Sequence, residues 1–282
     1  MSAVRTAATV LMWIVTTILL TAAIPAMWAQ QHLASQTGYA ALAQQAAADP
    51  ALQAAMATEL TAQVSRLGTG VDGALVDGIA RTYTASSSFP IQFGQANAFA
   101  HRWLFTNTVA SGVDEQGRWV IDIAPMLSDA AFIQTLRDYN IAVPSSLPIP
   151  LTDKAPALLR PGALSVYGRW APWLAWGLAA MAAGAALLTL IGARRRGKAL
   201  AALGLSAAIA AGAGWIATAY GRRELDAALD GQSDRLRAVA DAMVTAARTS
   251  LGDWLTITLI GGGGLVIIGI VVSLLGGVRS RR

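Results

Sequence analysis

The sequence contains no cysteine and only two histidines, His32 and His101. Without cysteine there is no disulfide, no thiolate metal ligand and no sulfur nucleophile. Charged residues make up 13% of the chain, about half the share usual in a soluble domain. Four long apolar stretches, Ala7–Trp28, Pro172–Gly192, Ala199–Tyr220 and Trp254–Val278, hold no Asp, Glu, Lys, Arg or His at all. Ion and proton pathways depend on such groups, which are costly in lipid and retained for function, so their absence argues against a transporter. No G-x-S-x-G elbow, phosphate loop or dinucleotide fingerprint is present.

What the chain does have is hydrophobicity. It is 55% hydrophobic with a positive mean hydropathy, the composition of an integral membrane protein. The stretch from Ala171 to Lys198 sets the frame. At 1.5 Å per residue Pro172–Gly192 spans about 30 Å, one hydrocarbon core. Trp170, Trp173 and Trp176 crowd its front, and Arg194, Arg195, Arg196 and Lys198 close its back. Aromatic residues prefer the membrane boundary and cationic loops stay cytoplasmic, so this span should run from outside to inside.

The first apolar run follows Arg5. Its length exceeds that of a secretory signal core, and Met27 before Ala29 makes a poor cleavage pattern, so an uncleaved span is expected over residues 1–29, kinked or ended near Pro25. Ala199–Tyr220 then returns outward, and Trp254–Val278 goes back in. Gly204, Ala208 and Gly212, and later Gly269, Ser273 and Gly277, repeat at the small-residue spacing that lets helices approach closely. Gly261–Gly264 can weaken the last span locally or serve packing; an unwound substrate site is the rival use. Trp28, Trp170, Trp173, Tyr220 and Trp254 would form an outer aromatic belt. The charges agree: +8 in the ends holding Arg5, Arg194–Lys198 and Arg279–Arg282, −2 over residues 30–169 and −1 over 221–253, which together give the net +5. This clustering explains the basic balance as topology and speaks against nucleic-acid binding.

Residues 30–169 read as a mainly helical extracytoplasmic domain with a small β element. Asp49-Pro50 is a helix start followed by Leu52, Met56, Leu60, Val64 and Leu67 at helical spacing up to Gly68. A second helix is expected from Asp72 to about Thr84 with Leu75, Ile79 and Tyr83 on one face. A third opens at Pro90, with Ile91, Phe99, Trp103 and Phe105 as core anchors. Val113–Ile123 reads as a hairpin, Pro125–Asp138 as helix and Asn140–Leu151 as extended chain. Within the three-span region 170–282, residues 221–253 suggest a second external element. It would be a helical hairpin broken at Asp230-Gly231, with a seam of Leu225, Leu229, Leu236, Val239, Met243 and Ala247. Such short helices are marginal alone, so the hairpin should dock on the larger domain through Leu236 and Met243.

In the order of its segments the chain resembles a group of uncharacterised four-span actinobacterial membrane proteins with a large extracytoplasmic region after the first span. The likeness rests on Ala48-Asp49-Pro50-Ala51-Leu52-Gln53, Trp119 to Leu127, Arg169-Trp170-Ala171-Pro172-Trp173-Leu174 and Val239-Ala240-Asp241-Ala242-Met243. High alanine and a preference for Arg over Lys agree with a GC-rich genome. The resemblance implies topology, and it brings no catalytic residues.

Candidate chemistry is sparse. His101 beside Arg102 reads as a packed or surface histidine rather than a base. Ser86–Ser88 read as a loop, and Asp114, Glu115 and Asp122 as solvated acids rather than a metal or glycosidase pair. The expectation is therefore a non-enzyme with no catalytic, cofactor or metal residues and no cofactor. It would sit in the plasma membrane with both termini cytoplasmic, and its partners would be the bilayer and a membrane protein or second copy. A scaffold or accessory subunit in cell-envelope assembly or beside a transporter is the leading function. The alternatives are a carrier of lipid or apolar ligand at the outer face and an extracytoplasmic hydrolase.

Overall fold

A computed structural model describes residues 2–66, 72–106, 112–113, 119–122, 148–150, 162–229 and 234–279. The helices are α1 (Ser2–Ala29), α2 (Gln36–Ala46), α3 (Pro50–Arg66), α4 (Gly73–Thr84), α5 (Phe89–Phe105), α6 (Ser165–Gly192), α7 (Arg196–Leu229) and α8 (Asp234–Arg279). A π-helical turn, Gln30–Ala34, follows α1. Four stretches are long and apolar enough to cross a membrane: Thr6–Ala34, Ser165–Gly192, Arg196–Arg223 and Arg237–Leu275. Their outward faces carry Leu187, Ile191, Ile260 and Ile267, all more than half exposed. Water would not tolerate such a surface and lipid does. This is a multi-pass membrane protein.

The chain divides into two compact units. The first comprises Met1–Gln31, Trp170–Asp230 and Arg248–Arg282. Between spans there is no hydrophobic driving force, because lipid is as apolar as leucine, so small residues and polar contacts must hold the helices. Both are present. Helices α7 and α8 run antiparallel with their backbones close. A methyl group on Gly197 would stand 2.9 Å from Ser273 Cα, one on Gly204 2.8 Å from the Val266 nitrogen, and one on Gly262 2.9 Å from Ala207 Cβ. Helix α6 buries a narrow stripe of Ala175, Ala182, Ala185 and Thr189, and a methyl on its Gly192 would lie 3.1 Å from Thr9 Oγ1 of α1.

The second unit comprises His32–Arg169 and Gly231–Ala247. Three of its helix starts carry a side-chain cap, that at Asp49 as the sequence suggests. Asp49 Oδ1 accepts from the Ala51 nitrogen at 2.7 Å, Asp72 Oδ1 from that of Ala74 at 2.9 Å, and Ser35 Oγ from that of Gly38 at 3.3 Å. Helices α2 and α5 cross at Gly94, where a Cβ would meet the Ala40 carbonyl oxygen at 3.0 Å. The core gathers Ala46, Ala47, Leu52, Phe89, Ala242 and Ala246, with Met56, Tyr83, Phe93, Val239 and Met243 packed around it. The chain from the end of α5 is tied to the start of α6. The nitrogens of Gly162 and Leu164 donate to the Trp103 and Leu104 carbonyls at 2.8 and 2.9 Å, and Gly162 takes the left-handed φ of 70° that suits glycine.

Several expectations need correction. The fold class is membrane and mostly α, without the small β element. The backbone at Gly112–Val113, Trp119–Asp122 and Pro148–Pro150 runs extended and pairs antiparallel. These pairings are two to four residues long, and two of the last three residues are prolines, which have no N–H to give a ladder. Pairings that short are not a stable element. The hairpin's tip at residues 114–118, the helix expected over Pro125–Asp138, Gly68 and the break at Asp230-Gly231 lie outside the described residues.

Of the two uses expected of Pro25, ending α1 does not hold, because Pro25 lies inside the helix, as Pro172 lies inside α6. The core face of α4 is Val76, Ala80 and Thr84, not Leu75, and Ile91 of α5 is exposed. The amphipathic segment of residues 236–247 is helical. It is the first part of α8, which continues without a break through Gly261–Gly264 into the last span.

Candidate functional site

Of the residues weighed for chemistry, His101 is the best placed and the least available. It is buried on α5, its ring stacks on Phe105 at 4.1 Å between centroids, and Tyr39 stands tilted against it at 5.5 Å. Nε2–H donates to the Leu33 carbonyl at 3.0 Å. Burial holds its pKa below the ordinary histidine value, opposed in part by the carbonyls of Leu33 and Ala34. Both carbonyls belong to the π-helical turn. A neutral imidazole has one N–H to give, and Nε2 gives it to Leu33. His101 therefore ties α5 to the chain leaving α1.

The Ser86 and Ser88 hydroxyls hydrogen-bond each other at 2.9 Å in the turn before α5. Nearby, the Tyr83 hydroxyl donates to Gln92 Oε1. Burial raises the Tyr39 pKa, which keeps that phenol protonated. No group of three or more His, Asp or Glu side chains able to hold a metal occurs among the described residues. Asp114 and Glu115 lie outside them, and Asp122 is described in its backbone only.

In the membrane unit the polar side chains form a cross-link between α1 and α7. Trp13 Nε1–H donates to the Ala202 carbonyl at 2.8 Å, and the Thr17 and Ser206 hydroxyls meet at 2.8 Å. Thr17 also reaches the Trp13 carbonyl at 2.9 Å, and Ser206 the Ala202 carbonyl at 3.1 Å. The four residues close a ring, one turn apart on each of two parallel helices. A second link joins Trp28 Nε1–H to Ser250 Oγ of α8 at 3.2 Å. Trp28 is thus buried rather than an exposed belt residue, in contrast to Trp170 and Trp173. No buried side-chain nitrogen or oxygen among the described residues is left without a partner.

Beside this ring lies a cavity of about 590 Å³ within the membrane unit, between α1, the end of α6 and the start of α7. Thr6, Thr9, Arg194, Arg195 and Lys198 line one part, and Val10, Trp13, Ala202 and Leu205 another. The sequence reading saw the three cations only as markers of orientation. The signal it passed over is the spacing of Thr6, Thr9, Val10 and Trp13, which puts four residues of mixed polarity on one face of α1.

No protein-family model matches the chain, and neither the curated proteins nor the solved structures include a match.

Proposed function

We propose that this protein is a non-enzymatic membrane scaffold or accessory subunit of the plasma membrane, acting in cell-envelope assembly or beside a transporter. The observation that carries the reading is how the polar groups of the spans are used. Trp13, Thr17, Ser206, Trp28 and Ser250 are spent on contacts between helices, and the apolar stretches Ala7–Trp28, Pro172–Gly192, Ala199–Tyr220 and Trp254–Val278 hold no Asp, Glu, Lys, Arg or His. A pathway for ions or polar substrates needs groups left over for the passing species. Here they lock helices together, which is what a frame requires. The buried, neutral His101 supports a structural role in the same way.

In this reading both termini and the Arg194–Lys198 turn are cytoplasmic, and the unit containing His32–Arg169 lies outside. Kinship with the four-span actinobacterial group is part of the proposal and rests on the order of the segments quoted above. The partner is another membrane protein or a second copy of the chain. The test is affinity purification of the full chain in a mild detergent after cross-linking in its native membrane. A stoichiometric protein partner, or a defined homo-oligomer, is expected. Repeated recovery of the chain as a monomer with no partner would overturn the scaffold reading.

A further inference from the structure

The cavity between α1, α6 and α7 has the polarity of a phospholipid. Along α1 its lining passes from Thr6 and Thr9 to Val10 and Trp13; along α7 it passes from Lys198 to Ala202 and Leu205. Both helices therefore grade from polar to apolar in the same direction, over eight residues each or about 10 Å. Arg194 and Arg195 join Lys198 at the polar end, and none of the three is ion-paired with a described residue. At the apolar end Val10 and Leu205 are each 49% exposed, so the deep wall opens sideways on the face that meets lipid. A soluble anion would find the cations there but would leave that apolar wall unused.

We infer that this cavity binds the phosphate headgroup of one anionic phospholipid, with its acyl chains laid against Val10, Trp13 and Leu205. The volume lies within the usual range of ligand pockets, and the open side lets the rest of each chain remain in the bilayer. Basic pockets between spans favour anionic headgroups, at about 1 kcal/mol per Lys or Arg near the surface. The site stands whether or not the scaffold reading does.

Native mass spectrometry of the full-length protein, delipidated and then titrated with phosphatidylglycerol or phosphatidylcholine, tests it. One phosphatidylglycerol should be retained per chain in preference to phosphatidylcholine. Arg194→Gln should weaken retention about fivefold, and replacing Arg194, Arg195 and Lys198 together by Gln roughly a hundredfold. Val10→Trp keeps every charge but fills the groove, and it should lose the lipid as well. Leu205→Trp does the same from the facing helix and replaces Val10→Trp if that variant misfolds by circular dichroism. Equal retention of phosphatidylcholine would overturn the inference, as would lipid binding unchanged by the filled groove. Displacement by glycerol phosphate at lipid-like concentrations would show a site for a free anion and overturn it too.

Discussion

At the scale of the residue, His101 shows how a titratable side chain can be structural. Its position on α5 puts the imidazole N–H against the Leu33 carbonyl of the π turn, with Phe105 stacked on the ring and Tyr39 tilted against it. Because burial lowers its folded pKa beneath the unfolded value, the unfolded chain binds a proton more readily. The sign follows: the contribution is whole above the ordinary histidine value of 6.5 and is lost as pH falls below it. Wild-type protein should therefore lose thermal stability between about pH 8 and about pH 5, in part through this one group. His101→Leu should start lower at the alkaline end, by about 1 kcal/mol for the lost hydrogen bond, and decline less steeply. Parallel curves for the two proteins would show that His101 does not titrate on unfolding. The sequence allowed a packed or a surface His101, and the side chain is packed. The sequence could not tell what it packed against, because Leu33 lies 68 positions away and a π turn leaves no pattern in composition.

At the scale of the element, close approach between α7 and α8 decides which small residues matter. The spacing of Gly204, Ala208 and Gly212 marked the right face of α7 but not its last member: Gly212 has open space where a side chain would go, whereas Gly214 beyond it meets Leu255. The seam also starts earlier, with Gly197 and Gly204 against Ser273, Gly269, Val266 and Gly262. The tetrad Gly261–Gly264 divides in the same way. A Cβ on Gly261, Gly263 or Gly264 meets nothing within 4 Å, whereas on Gly262 it runs into α7. Gly262→Val should therefore cost about 1–3 kcal/mol by overpacking, read as a fall in the detergent melting temperature. Gly261→Val, next to it in the same helix, should be nearly neutral. Equal effects would mean that the tetrad acts through helix propensity and not through the seam. Periodicity finds a candidate stripe, but the crossing point depends on both partners, and one sequence segment carries only half of that information. The same limit hid the cavity, whose lining comes from α1, α6 and α7, while the docking of the 236–247 segment was legible because its apolar face had too little to pack on. Met243 does lie against the core formed with Leu52 and Phe89, with Ala242 and Ala246 buried in it; the Leu236 side chain lies outside the described ones.

At the scale of the whole molecule, the contacts within the membrane unit link the ends of all four spans. Thr9 lies against Gly192, Trp13 bonds to Ala202, and Gly197 faces Ser273. The start of α1, the end of α6, the start of α7 and the last turns of α8 therefore share one side. Trp28 with Ser250 and Gly214 with Leu255 bring the opposite ends together. Arg5, Arg196, Lys198 and Arg279 by their place in the helices, and Arg194 and Arg195 in the turn between α6 and α7, all belong to the first side. A single orientation thus puts every cationic end in the cytoplasm or every one outside, and the topology proposed above is the former. Reporters active on only one side of the membrane, fused after Lys198, Asp230 and Arg282, should read inside, outside and inside. Because the ends are coupled, the three results are not independent. A signal from outside at Lys198 with one from inside at Arg282 would break the α7–α8 seam as well as the topology. Outside signals at both would leave the packing intact and reverse the orientation alone.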